Sequence, residues 1–130
     1  MKRLFGTLAL LVLAAGSAFA GNQYPSISQD ELKQAIADKA VVLLDANGSD
    51  SYKTGHIPGA IDFAANGDRL SSLLPADKGA LVVAYCGGEK CTAYKAAAAA
   101  AVKLGYTNVK HFSPGISGWT GSGQPTEPGA

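Results

Sequence analysis

At 130 residues, with eleven basic and ten acidic side chains and a formal net charge of +1, the chain is long enough for one domain with its own core. It has no charge excess that would recruit nucleic acid or an anionic membrane surface. It holds only two cysteines, and both lie in one short segment, so any cysteine chemistry or disulfide must be local.

The N-terminus carries a targeting pattern. Lys2 and Arg3 form a basic segment, residues 4–15 form an apolar stretch interrupted only by Gly6 and Thr7, and Ala18-Phe19-Ala20 supplies a small-x-small cleavage pattern, so cleavage is expected after Ala20. The apolar stretch is too short to span about 30 Å of hydrocarbon, and the polar Gly21-Asn22-Gln23 follows at once, which argues against a membrane anchor. No cysteine lies near the cut for lipid attachment. Residues 1–20 are therefore expected to be a signal peptide, and residues 21–130 one exported domain, periplasmic or secreted. Loss of Lys2 and Arg3 leaves nine basic against ten acidic residues, a net of −1. Neither nucleic acid nor, after signal cleavage, a membrane is expected as a partner.

Ser28-Gln29-Asp30-Glu31 has the spacing of a capping box, and Leu32, Ala35 and Ile36 recur at helical spacing, which predicts a helix over residues 29–38. The continuous apolar run at residues 40–44, ending at Asp45, reads as a buried parallel strand. Residues 47–58 are polar, carry Gly48 and Gly55, and read as a loop with one helical turn around Ser51-Tyr52. Ile57-Pro58-Gly59-Ala60-Ile61-Asp62 turns into a short strand, and residues 68–74 form a short helix with Leu70, Leu73 and Leu74 on one face.

A second apolar strand is expected over residues 81–85. Residues 93–104, with six consecutive alanines, are expected to be a helix whose packing face is given by Tyr94, Val102 and Leu104, with Gly105 as its αL cap. Val109-Lys110-His111-Phe112 is a further strand, and Ser113-Pro114-Gly115 opens a last short helix containing Ile116 and Trp119. The Gly- and Pro-rich tail from Thr120 is expected to be ordered only where it packs back. Alternating strands and helices indicate an α/β fold with a parallel sheet covered on both faces, in which sites collect at the carboxyl ends of strands.

Cys86-Gly87-Gly88-Glu89-Lys90-Cys91-Thr92 sits between the 81–85 strand and the alanine-rich helix. Converging backbone N–H groups in a tight loop, and the positive end of the following helix, lower a thiol's pKa. Gly87 and Gly88 allow the backbone to curl around a sulfur, and Lys90 adds positive charge while Glu89 opposes it. The pattern suits an anionic sulfur species such as a persulfide. Against this stands a structural disulfide, the ordinary use of two cysteines in an exported chain. Cys91 has three readings: a disulfide partner of Cys86, a thiol that attacks a Cys86 persulfide and releases sulfide, or a small buried residue. A modulating role towards Cys86 is favoured.

The chain resembles a single-domain rhodanese, of the rhodanese-like sulfurtransferase family. The resemblance is carried by Val42-Leu43-Leu44-Asp45 leading to Gly55-His56-Ile57-Pro58-Gly59-Ala60, by Tyr85-Cys86 and its loop, by Gly105-Tyr106-Thr107-Asn108-Val109, and by Pro114-Gly115-Ile116-Ser117-Gly118-Trp119. It implies a central parallel sheet of about five strands with helices on both faces. It also implies Cys86 as the catalytic residue that takes a sulfane sulfur from thiosulfate or polysulfide and passes it to a thiol or cyanide acceptor; a periplasmic protein is a further candidate partner of the exported domain. The implied substrate-binding loop is Gly87, Gly88, Glu89, Lys90, Cys91 and Thr92. No cofactor is implied.

A cysteine phosphatase would place arginine where Thr92 stands. The chain departs from the family pattern at Asn47 and Ser51. In the loop, Glu89 and Cys91 replace the usual glycine and arginine, which weakens the case for anionic thiosulfate as donor. His56 and His111 lack paired spacing with the cysteines, so no metal site is expected; His56 is expected to hydrogen-bond its turn and His111 to sit at a strand end. The alternative to an enzyme is a non-catalytic or redox-responsive binding module with a Cys86–Cys91 disulfide.

Overall fold

The computed structural model describes residues 24–129. The expected signal peptide over residues 1–20 lies outside the described residues. Among the described residues no helix is long and apolar enough to cross a membrane.

The first helix, α1 (Gln29–Ala37), starts where the sequence places it: Ser28 Oγ accepts the Glu31 amide at 3.1 Å, with Asp30 and Glu31 in the first turn. Strand β1 (Val42–Asp45) leads into α2 (Ser49–Thr54), β2 (Ile61–Asp62) and α3 (Phe63–Asn66); a 3-10 turn at Gly67–Arg69 and α4 (Leu70–Leu73) follow. Strand β3 (Leu81–Tyr85), α5 (Tyr94–Lys103), β4 (Asn108–His111) and α6 (Gly115–Gly121) complete the order. Among the described residues the sheet is parallel with four strands in the order β2-β1-β3-β4. At its β4 edge, Ser26 forms a parallel bridge with His111, the His111 amide donates to Pro25 and the Ile27 amide donates to His111, so the N-terminal segment occupies a fifth position.

Both faces are covered, which is why β1 and β3 are continuously apolar rather than alternating. Along β3, Val82 and Ala84 pack with Leu44, Val109 and the alanines of α5, whereas Val83 and Tyr85 pack with Leu43, Ile57, Phe112 and Trp119 on the opposite face. α5 meets the sheet through Ala97, Ala98 and Ala101, all fully buried, while Tyr94, Val102 and Leu104 are only partly buried around that contact. The packing face is thus made of alanines, because the strand side chains beneath already fill the volume between helix and sheet. Gly105 caps α5 at φ +98°.

Two expectations are corrected. The predicted helix at 68–74 is preceded by α3, which Asp62 caps by accepting the amides of Ala64 and Ala65. Leu70 and Leu74 are buried, but Leu73 is 41% exposed; α4 ends at Leu73 and Leu74 enters the core from extended backbone, so the three leucines share no helical face.

Strands β1 and β3 are neighbours. The chain leaves β1 for α2, whose Tyr52 packs on the Trp119 side, and leaves β3 for α5 on the opposite side. Connections that part to opposite faces create a crevice at the carboxyl ends of these two strands. Cys86 is the first residue past the end of β3.

Candidate functional site

The ends of β1 and β3 are locked by a buried polar network. Tyr85 donates its hydroxyl to Asp45 Oδ2 at 2.7 Å and accepts the Ile57 amide at 3.0 Å. Asp45 Oδ1 accepts the Asn47 amide at 2.8 Å, and the Ala46 amide donates to the Tyr85 carbonyl. Burial raises the Asp45 carboxyl above its ordinary value of 3.8, against the hydrogen bonds from Asn47 and Tyr85. Burial, and then the Asp45 charge, push the Tyr85 phenol far up. Both groups serve as a brace, and the strand end that presents Cys86 is fixed by it.

The loop after Cys86 is clasped by the first turn of α6. The Ile116 amide donates to the Cys86 carbonyl at 2.8 Å and the Ser117 amide to the Gly87 carbonyl at 3.0 Å. Gly115 makes this approach possible. It sits at φ +61°, and a Cβ there would collide with the Cys86 carbonyl and lie 2.7 Å from the Gly88 nitrogen and 2.8 Å from the Gly87 carbonyl carbon. Within the loop, the Cys91 amide donates to the Gly88 carbonyl at 3.1 Å, closing a tight turn.

Cys86 and Cys91 are joined as a disulfide, with Cα atoms 6.2 Å apart, inside the range that a disulfide spans. Cys86 is 1% exposed, whereas Cys91 is half-buried. A pocket of about 580 Å³ opens over the loop, lined by Gly87, Gly88, Glu89, Lys90 and Cys91 together with Pro114, Ser117 and Gly118. Cys86 lies beneath it, and Thr92 stands outside the lining at the exposed exit of the loop, its carbonyl accepting the Lys95 amide. The site therefore has one buried sulfur, one sulfur facing a pocket, and Lys90 as the cation of the lining. The α6 side of the pocket was not among the expected site residues. Its signal was the Pro114-Gly115 pair, which the sequence shows as a helix start and the fold uses as a clasp.

The two histidines stand apart from the sulfur loop. His56 donates from Nδ1 to the Tyr52 carbonyl at 2.8 Å, stacks on the Tyr52 ring at 3.7 Å, and pairs its backbone with Glu127 in an antiparallel bridge. The tail packs back there, and Glu127 Oε2 also accepts the Gly59 amide and lies 3.7 Å from His56 Nε2. His111 ends β4 and stacks on Tyr94 with ring centroids 3.4 Å apart. Its burial, and then the charge of Lys95, hold the imidazole below its ordinary value of 6.5. Trp119 is core, edge-on to Phe112, with Nε1 donating to the Pro125 carbonyl at 2.7 Å.

A nearly buried cysteine at the end of a central parallel strand, in a glycine loop clasped by a C-terminal helix, agrees with what comparison of the chain shows. Residues 28–122 match the Rhodanese-like domain family. The chain belongs to the rhodanese-like domain family. Among solved structures, this rhodanese-like domain is similar to a Bacillus halodurans protein (25% identity, TM-score 0.69, 81% of this chain and 77% of that one). It is also similar to the rhodanese-like domain of an Anabaena protein (25%, TM-score 0.62, 82% and 80%). A thiosulfate sulfurtransferase from Pseudomonas aeruginosa is 30% identical with a TM-score of 0.63, over 82% of this chain and 21% of that one. An HTH-type transcriptional regulator of Mycobacterium tuberculosis is 33% identical over 121 residues, or 92% of this chain and 52% of the regulator. The rhodanese-like domain thus spans about half the length of that curated relative.

Proposed function

We propose that this rhodanese-like domain is an exported, periplasmic sulfurtransferase that moves sulfane sulfur through a persulfide on Cys86. The observation that carries this reading is the placement of Cys86 past the end of β3, under a pocket and inside a loop held from outside by α6. The reduced thiolate attacks the outer sulfur of a donor such as thiosulfate or polysulfide; with thiosulfate, sulfite leaves and Cys86 holds the sulfur. A thiol or cyanide then attacks that outer sulfur and carries it off, regenerating the thiolate. Two covalent half-reactions give ping-pong kinetics. Gly87 and Gly88 let backbone amides approach the sulfur, and Lys90 offers a point charge to an anionic donor. The N-terminal signal pattern supports export. The test is steady-state transfer from thiosulfate or polysulfide to a dithiol, which keeps the loop pair reduced, and to cyanide in the Cys91→Ser protein: parallel double-reciprocal lines are expected in both cases and no transfer for Cys86→Ser.

A second reading, a redox-responsive binding module, is favoured by two findings: the oxidised Cys86–Cys91 pair and the similarity to a transcriptional regulator. In that case the reduced protein transfers no sulfur, and partner binding follows the redox state of the pair.

A further inference from the structure

The disulfide shows that the fold can bring the Cys91 sulfur onto Cys86, and the bonds that shape the loop are independent of that link. Ile116 and Ser117 hold the Cys86 and Gly87 carbonyls, and the Cys91 amide holds the Gly88 carbonyl. These are backbone hydrogen bonds that reduction does not touch, so a Cys91 thiol remains beside Cys86. The burial is asymmetric: Cys86 is 1% exposed, whereas Cys91 lines the pocket that opens over the loop. A tethered thiol in that position acts at an effective concentration of about millimolar or far higher, ahead of a dilute external acceptor.

We propose that the loop dithiol makes this domain a sulfide-releasing reductase of sulfane sulfur, in which Cys91 discharges the persulfide of Cys86. The proposal rests on Cys86 as the sulfur carrier. The Cys91 thiolate attacks Sγ of the Cys86 persulfide. The Cys91–Cys86 sulfur bond forms, the bond from Cys86 Sγ to the outer sulfur breaks, and the outer sulfur leaves as hydrosulfide with one proton from solvent. The sulfane sulfur gains two electrons and the cysteine pair loses two, becoming the disulfide seen here. A dithiol reductant returns the pair to its starting state. Its first thiolate attacks the pocket-facing Cys91 sulfur and expels the Cys86 thiolate, and its second closes the reductant's own disulfide. The net reaction consumes a sulfane donor and a dithiol and yields sulfide and a disulfide.

The test uses the full mature chain, reduced, freed of reductant under anoxia, and given thiosulfate or an aromatic thiosulfonate, whose leaving groups are not sulfide. Released sulfide is trapped with a bimane reagent and the protein is weighed intact. The wild type is expected to release about one equivalent of sulfide with no added thiol and to finish about 2 Da below the dithiol mass. Cys91→Ser and Cys91→Ala, checked for folding by thermal melts, are expected to keep an adduct of about 32 Da until an external thiol is added. A wild type that keeps this adduct as the variants do overturns discharge by Cys91 and leaves Cys86 as the carrier. If neither wild type nor variants take up sulfur, the Cys86 carrier itself is overturned, and the discharge with it.

Discussion

Tyr85 and Asp45 meet across the junction of the two central strands: the phenol donates to the carboxylate at 2.7 Å while accepting the Ile57 amide at 3.0 Å. One side chain thus ties β1, β3 and the turn that begins at Ile57 at the point where the chain presents Cys86. Tyr85→Phe leaves a buried amide without its acceptor and removes a donor from a buried carboxylate, which costs about 1–3 kcal/mol. Denaturant unfolding should show the midpoint fall with an unchanged slope.

The same pair sets a pH dependence. Burial holds the Asp45 carboxyl above its ordinary value of 3.8, so the folded chain binds that proton more tightly than the unfolded chain does. The resulting stabilisation is fully present below that value and is lost as pH rises through the raised one. Asp45→Asn removes the titration. Unfolding of both proteins at pH of about 3 and about 7 should show that the wild type loses stability relative to Asp45→Asn as pH rises.

Gly115 gives a test of the clasp between α6 and the loop. Gly115→Ala meets loop backbone at 2.7 and 2.8 Å and a positive φ that costs about 1–2 kcal/mol for a residue with a Cβ. Gly121→Ala, in the same helix, meets nothing within 4 Å. Sulfur uptake by Gly115→Ala should fall by far more than its loss of stability explains, while Gly121→Ala stays at the wild-type rate.

Lys90 is the cation of the pocket lining, with Glu89 beside it. A point charge facing solvent contributes about 1 kcal/mol to an anion at contact, so Lys90→Ala should raise KM for thiosulfate roughly five-fold with kcat little changed. Glu89→Gln should lower it. Initial-rate measurements at fixed acceptor concentration separate the two parameters.

Much of the framework was legible because local signals agreed with one another. β3 occupies the predicted residues, and the Ser28 cap and Gly105 stop stand where their chemistry requires. α3 was missed because Asp62 serves two elements at once, as the last residue of β2 and as the cap of the next helix. The packing of α5 through Tyr94, Val102 and Leu104 was legible, but that Ala97, Ala98 and Ala101 take the fully buried positions was not, because a lone helix does not reveal how full the space beneath it already is. The place of the cysteine loop, directly after β3, was legible from the apolar run that ends at Tyr85 and from Cys86, Gly87 and Gly88. The contribution of Pro114, Ser117 and Gly118 was not, because they reach the pocket only through a long-range backbone clasp.

Sulfur on Cys86 is best tested by intact and peptide mass on the reduced Cys91→Ser protein after exposure to thiosulfate or polysulfide, since that background keeps the adduct in place. An addition of about 32 Da, confined to the peptide that contains Cys86 and lost on thiol treatment, is the predicted result. An unmodified chain, or an adduct of the same size in Cys86→Ser, would contradict it.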